Sequence, residues 1–241
     1  MILQSGSGAG SQAPPAKPPL VATFSIAARD PDTGEIGVAV QSRVLGVGAI
    51  VPFAKAGVGA VATQAMANTA YGPEGLKLLA AGKSAEETLK SLTDADKQSA
   101  IRQAGVLGMT GPPATFTGSG CMEWAGGKTG THYTVQGNIL AGQAVVDGMA
   151  TAFESTKGTL AERMLAALDA GQAAGGDKRG MQSAALLVVH EGWGYAGQND
   201  RYIDLRVDDH STPIKELRRL LEVHGKVFGR PGQDRKKPEG R

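Results

Sequence analysis

Cysteine is nearly absent from this chain: Cys121 is the only one in 241 residues, so no intramolecular disulfide framework exists, and a reducing compartment fits this usage. Cys121 sits in Gly-Ser-Gly-Cys-Met with neither a histidine nor a cation beside it, and it reads as a small buried hydrophobe rather than an activated thiol. Histidine is scarce as well. The four residues at 132, 190, 210 and 224 show no His-x-x-x-His spacing, which argues against zinc, and no metal or other cofactor is expected. No apolar run approaches the roughly 20 residues of a membrane-spanning helix. Charge of one sign is lacking too: 25 basic against 23 acidic residues leave +2, which gives no electrostatic case for nucleic acid. Residues 1–22 hold only Ile2-Leu3 and Leu20-Val21 as apolar pairs, short of the roughly 7–15-residue apolar core of a secretory signal, so a cytoplasmic protein with no membrane partner is expected.

The 41% hydrophobic content supports one large domain with a full core. The Gly/Ser stretch at 5–11 and Pro14, Pro15, Pro18 and Pro19 mark residues 1–22 as a flexible leader or linker. Residues 23–229 read as a single domain, and 230–241, rich in Arg, Lys, Gly and Pro, as a disordered basic tail. Composition and turn chemistry predict a β-hairpin from Thr23–Arg29 and Ile36–Ser42 around Asp30-Pro31-Asp32-Thr33-Gly34-Glu35. Further β segments are expected at 44–51 and 57–64. Two short helices follow from Tyr71, separated by Gly82-Lys83-Ser84, with Ser84 and Glu87 forming a capping box. Strands at 101–109, 113–118 and 132–137, helices at 142–155 and 159–172, strands at 184–189 and 202–207 and a helix at 212–226 capped by Asp209 or Ser211 complete an α+β order. Gly126-Gly127-Lys128-Thr129-Gly130 is not a phosphate loop, because Met122 stands where its first glycine belongs. Asp204, Asp208, Asp209 and His210 have a metal-like composition, but the alternation from 204 to 207 reads as strand.

Thr23 carries the chemistry of greatest interest. If residues 1–22 are removed, it presents a hydroxyl nucleophile beside a free α-amine whose ordinary pKa of about 7.7–8.0 suits a general base. The residues around it follow in a specific order. Thr23-Phe24-Ser25-Ile26, Ala28-Arg29-Asp30-Pro31, Gly37-Val38-Ala39-Val40-Gln41-Ser42, Ala56–Gln64 and Tyr71-Gly72-Pro73 come first; Val135-Gln136-Gly137-Asn138, Gly175–Ala185 and Asp204–His210 come later. This string, above all Gly-Gly-Asp-x-Arg-Gly-x-Gln-Ser, resembles the DUF1028 group of the N-terminal nucleophile (Ntn) hydrolase superfamily over about residues 23–225. The resemblance implies a four-layer αββα sandwich in which the first strand delivers its terminal residue to a cleft, and association into a homo-oligomer, dimer or higher.

An Ntn site needs a nucleophile with a free amine, a group to hold that amine, oxyanion donors and a substrate pocket. Thr23 supplies the first. Gln41-Ser42-Arg43 ends the hairpin where proteasome-type Ntn subunits carry Asp-x-Arg, so Gln41 and Ser42 are candidates to orient the amine and Arg43 to meet substrate, although a glutamine brings no negative charge. Lys55 lies about as far beyond the threonine as the proteasome lysine, but a lysine after Phe53-Ala54 also suits a solvated loop. Thr63, Gln64 and Asn68 close a strand where polar side chains converge on sites. Gly137 and Asn138, in a turn after a β segment, can offer a backbone N–H and a side-chain amide to one oxyanion. Asp177, Arg179 and Gln182 lie in a glycine-framed loop, where Asp177 and Arg179 form a clasp or hold the amine and a substrate anion.

The expected activity is hydrolysis of a C–N bond in a small amide or peptide-like substrate by Thr23 after leader removal. The alternative is an inactive binding or assembly protein that keeps the fold. Gln41 in place of a carboxylate, and Val21-Ala22 ahead of Thr23, favour that alternative.

Overall fold

The computed structural model describes residues 23–230. The leader expected at 1–22, and all but the first residue of the tail expected at 230–241, lie outside the described residues. In chain order, β1 (Thr23–Arg29) and β2 (Ile36–Ser42) form the predicted hairpin and lead to β3 (Pro52–Lys55) and β4 (Gly59–Ala65). The helices α1 (Tyr71–Ala80) and α2 (Ala85–Ala95) follow, then β5 (Arg102–Gly108), β6 (Ala114–Thr117), β7 (Gly126–Gly130) and β8 (Tyr133–Asn138). The chain ends with α3 (Gln143–Ser155), α4 (Leu160–Ala173), β9 (Ser183–Val189), β10 (Arg201–Val207) and α5 (Pro213–Phe228).

The fold is mixed α/β, with two antiparallel sheets and five helices. One sheet has six strands in the order β10-β9-β2-β1-β8-β7, the other four in the order β3-β4-β5-β6. Alternation along β1 explains how they are covered, since successive side chains leave a strand on opposite faces. Phe24, Ile26 and Ala28 join a core with Met149 and Phe153 of α3, Leu165 and Leu168 of α4 and Leu217 of α5. Ala27, on the other face, packs with Val38 and Val40 of β2, Ala60 and Ala62 of β4 and Leu107 of β5, which places the four-stranded sheet over the inner face of the six-stranded one. The far face of the smaller sheet buries Val61 and Val106 against Tyr71 of α1 and Leu89 and Leu92 of α2. All seven residues of β1 are therefore buried.

Local signals placed most elements. Ser84 caps α2, its side chain accepting from Glu87 N–H while the Glu87 carboxylate accepts from Ser84 N–H, as the capping box requires. Two expectations are corrected and one strand was not foreseen. Residues 44–51 form no strand: Gly46 is left-handed (φ 64°), Val47–Ala49 is a 3₁₀ turn, and Val47 N–H donates to Ser183 Oγ, so the chain crosses between sheets here and β3 begins only at Pro52. Residues 126–130 are strand β7, paired along β8; the glycines that interrupt its side-chain pattern hid it. Neither Asp209 nor Ser211 caps α5, which starts at Thr212-Pro213, while His210 Nδ1 accepts from Thr212 N–H. Arg230, the last described residue, pairs with buried Glu35 at 2.5 Å. Among the described residues no helix is long and apolar enough to cross a membrane.

One glycine decides how closely the sheets approach near Thr23. A Cβ on Gly105 of β5 would lie 2.3 Å from Gln136 Oε1 and 2.8 Å from Thr134 Cγ2 of β8. Gln136 cannot swing away cheaply, because its amide donates to Ser25 Oγ at 2.6 Å and accepts from Thr134 Oγ1 at 2.9 Å. Gly105→Ala is expected to destabilise the fold by about 1–3 kcal/mol through overpacking, measured by urea unfolding.

Candidate active site

The space between the sheets is apolar at one end and polar at the other. Beyond Ala27, Val40, Ala62 and Leu107 the same inner faces carry Ser25 and Thr23 on β1, Ser42 on β2, Gln64 on β4, Gln103 on β5, and Gln136 and Asn138 on β8, all buried. Burying amides and hydroxyls this deeply is unfavourable unless they bond to one another. They do. Gln64 Nε2 donates to Gln103 Oε1 at 2.8 Å and lies 3.4 Å from the Thr23 carbonyl, while its Oε1 accepts from Ser25 Oγ at 2.6 Å. Gln103 Nε2 donates to Gly137 O at 2.8 Å and Thr117 Oγ1 at 2.9 Å, and Gln103 Oε1 accepts from Asn138 Nδ2 at 3.0 Å.

Thr23 stands at the edge of this network, opposite Ser42 on one side and Asn138 on the other. Its hydroxyl donates to Ser42 Oγ at 3.0 Å. Directly opposed residues project to the same face, so Thr23, Ser42 and Asn138 form one polar row across three strands. The Asn138 amide has two N–H groups and spends one on Gln103, which leaves the second to serve another acceptor.

Next to this row lies a cavity of about 200 Å³ bounded by Asn138, Ile139, Ala65, Met66, Cys121 and Met122. Two of its wall residues are strained. Ala65 (φ 66°), ending β4, and Ile139 (φ 54°), following β8, are left-handed without being glycine, and for a β-branched residue that is a genuine outlier. Cys121 is half-buried, its thiol donates to Arg102 O at 3.3 Å, and burial pushes its pKa up. A larger cleft of about 550 Å³, among Trp193, Tyr202, Asp204, His224 and Phe228, opens off edge strand β10, three strands from β1, and holds none of the residues proposed from sequence for catalysis or substrate binding. We place the candidate site at Thr23 despite the smaller volume, because the polar row and the strained strand ends are there.

The remaining candidates divide by face and loop. Gln41 pairs with Phe24, so it points to the helix side, away from the Thr23 hydroxyl, and its amide finds no partner among the described residues. Thr63 likewise faces the helices, its hydroxyl donating to Asn68 O at 3.1 Å. Asn68 belongs to a separate cluster in which its Nδ2 donates to Asp96 at 3.0 Å. Gly137 is not in a turn but inside β8, opposite Phe24 and Gly126; a Cβ there would lie 2.3 Å from Leu140, so close packing accounts for the glycine. Lys55 is exposed at the end of β3. Asp204 is held by Arg201 and Arg206, and among the described residues no group of three or more His, Cys, Asp or Glu is placed to hold a metal ion.

Asp177 works as a clasp. Its fully buried carboxylate accepts from Arg43 N–H at 3.2 Å, from Arg179 N–H at 2.8 Å and from the Arg179 guanidinium at 2.9 Å. The Arg43 guanidinium in turn donates to Arg179 O, and Gln182 N–H donates to Ser42 O at 3.0 Å. The loop thus grips both polar groups of the Ser42–Arg43 peptide, while the Gln182 side chain turns to Asp209 at 3.1 Å. Sequence reasoning missed Gln103 and Ser25. The signal was present: Gln103 alternates with Gly105 and Leu107, so it occupies a core-facing position where an apolar residue is the default.

The family model described as "Family of unknown function (DUF1028)" matches residues 23–217. The crystal structure of protein SPO2555 from Silicibacter pomeroyi, matched by the same family model, is similar with a TM-score of 0.78 and 33% sequence identity, covering 86% of this chain and 91% of that one. No curated protein matches the chain.

Two stability tests probe the frame around the row. Asp177→Ala strips the acceptor from two backbone N–H groups and a guanidinium, and is expected to cost about 3 kcal/mol in denaturant unfolding; Arg179→Ala, whose guanidinium is partly exposed, costs less. Asp96 braces the loop behind Met66, since Arg102 bonds both Asp96 and Met66 O. Burial alone would raise the Asp96 carboxyl, but hydrogen bonds from the Arg102 guanidinium, Gln98 N–H and the Asn68 amide outweigh it and hold the group at about 2, below its ordinary 3.8. Because the folded pKa is depressed, this stabilisation is full above pH 3.8 and is lost as pH falls through about 2. Stability measured across that window falls in the wild type and loses this component in Asp96→Asn, which is also less stable at neutral pH.

Proposed function

The chain belongs to the DUF1028 family, and on that premise we propose that it is an N-terminal nucleophile hydrolase cleaving a C–N bond of a small amide or peptide-like substrate. In this reading the two sheets and their flanking helices are the four-layer αββα sandwich of that superfamily, and Thr23 becomes the amino terminus when residues 1–22 are removed. The observation that carries it is the position of Thr23, the first residue of β1, in the polar row: its hydroxyl lies 3.0 Å from Ser42 Oγ, and it sits opposite Asn138.

Thr23 Oγ1 attacks the substrate carbonyl, and its α-amine, with an ordinary pKa of about 7.7–8.0, takes the proton. Ser42 holds the hydroxyl in place, and the Asp177 clasp fixes Ser42. The second N–H of Asn138 meets the developing oxyanion, its amide locked by Gln103 so that little reorganisation is needed. The amine then returns the proton to the leaving nitrogen, and water attacks the ester at Thr23 to release the acid. Gln41 plays no part in this scheme, because it faces the helices.

A second reading, a non-catalytic protein that keeps the fold, is favoured by one observation: the position where a carboxylate would tune the amine is Gln41, turned to the opposite face. Mutagenesis separates the two. With hydrolysis screened over an amide panel, Thr23→Ala is expected to abolish turnover while costing about 1 kcal/mol of stability, the worth of one hydrogen bond. Thr23→Ser keeps part of the activity. Asn138→Ala lowers kcat and kcat/KM together by about 10²–10³. Full turnover in Thr23→Ala, or in protein whose intact mass still includes residues 1–22, would sink the self-base mechanism.

A further inference from the structure

The cavity beside Asn138 has a chemistry of its own. It holds about 200 Å³, below the roughly 300–1,000 Å³ of sites for drug-sized ligands, and at about 30 Å³ per water-sized group it accepts about six or seven non-hydrogen atoms. Besides Asn138 it is lined by Ala65, Met66, Ile101, Cys121, Met122 and Ile139, and none of the described residues lining it is charged. A carboxylate or ammonium entering it would lose hydration with no counter-charge to meet. The one amide that reaches it is Asn138, directly across the ladder from Thr23, where opposed Cβ atoms stand about 4.5–5.5 Å apart. Asn138 belongs both to the cavity lining and to the polar row, so for a carbonyl held between Asn138 and the Thr23 hydroxyl this cavity is the adjoining space. The shape is also held firmly: the two left-handed residues, Ala65 and Ile139, line it at the ends of β4 and β8, and Arg102 bonds Met66 O.

We infer that this cavity is the acyl-binding subsite and that it selects a short, uncharged, apolar acyl group of about four to six carbons. The inference rests on Thr23 as nucleophile, and it removes a negatively charged acyl group from the substrate class. Arg179, the cation expected to hold such an anion, lies in the Asp177 clasp on the Ser42 side of Thr23 instead.

Two measurements test it, the first on the full chain and the second on protein processed to begin at Thr23. The first needs no catalysis. Cys121 lines the cavity, so in Thr23→Ala protein hexanamide should slow its alkylation by iodoacetamide, followed by intact mass, about tenfold at a ligand concentration about ten times Kd. Succinamate, similar in length but anionic, should not. The second follows hydrolysis of p-nitroanilides from acetyl to decanoyl. The wild type is expected to prefer butyryl to hexanoyl; Met66→Ala, which widens the cavity, shifts the preference toward octanoyl and raises kcat/KM for it about tenfold. Met122→Trp, at the exposed rim, rejects hexanoyl and keeps acetyl. Equal protection by succinamate, no protection by hexanamide, or the same length profile in all three proteins overturns the subsite, even if Thr23→Ala has abolished turnover. Protection by hexanamide alone, in a protein whose wild type turns over no anilide, supports the cavity's selectivity and instead rejects Thr23 as nucleophile.

Discussion

The interaction on which the rest of this molecule depends is the amide bridge between the sheets, Gln64 Nε2 to Gln103 Oε1 at 2.8 Å. A protein that packs two sheets face to face gains most from an apolar interface, and the far end of this one follows that rule with Ala, Val and Leu. The near end instead buries three glutamines, an asparagine and several hydroxyls. Such a cluster is tolerable only when nearly every donor and acceptor is used, because an unpaired amide in this setting costs about 1–3 kcal/mol. The bridge lets Gln103 reach Gly137 O and the Asn138 amide, and lets Gln64 reach the Thr23 carbonyl and Ser25.

That satisfied network has a mechanical consequence. It fixes the end of β1 relative to both sheets, so Thr23 is positioned by backbone pairing on two sides and by side chains from the opposite sheet. Small residues make the approach possible, Gly105 above all, since any side chain there would displace Gln136 and with it Ser25. The polar row therefore sits on rigid strands, with loops serving only as braces: the Asp177 clasp around Ser42, and the Asp96–Arg102 pair behind Met66. Placing reactive groups on strands and supporting them with a second set of hydrogen bonds is how positional accuracy is reached. The strain at Ala65 and Ile139 lies where this frame ends and the cavity begins.

Much of the fold was legible in the chain. The hairpin of β1 and β2 announced itself by two apolar runs around Asp-Pro-Asp-Thr-Gly-Glu, and α2 by its capping box, because both signals act over a few residues and need no partner. β7 was not legible: Gly126, Gly127 and Gly130 give no alternation, and its extended form comes from pairing along β8. Residues 44–51 misled in the opposite direction, since Val and Ile among glycines look like a strand while Gly46 and the bond from Val47 to Ser183 turn the chain aside.

The candidate site divides in the same way. The residue types were readable at Thr23, Ser42, Gln64 and Asn138, because polar residues at strand ends stand out against the apolar runs that precede them. Which of them meet depends on parity and register. Gln41 and Ser42 are neighbours in the chain, yet a strand sends them to opposite faces, and pairing with Phe24 and Thr23 respectively puts one among the helices and the other beside the hydroxyl. Thr63 and Gln64 part for the same reason. Gln103 comes from a strand of the other sheet, 80 residues from Thr23 in numbering, and only the packing of one sheet on the other brings its amide to Asn138. Short-range chemistry thus wrote the strands, the caps and the list of reactive groups, whereas the choice among those groups required long-range pairing, whose partners no local stretch of chain encodes.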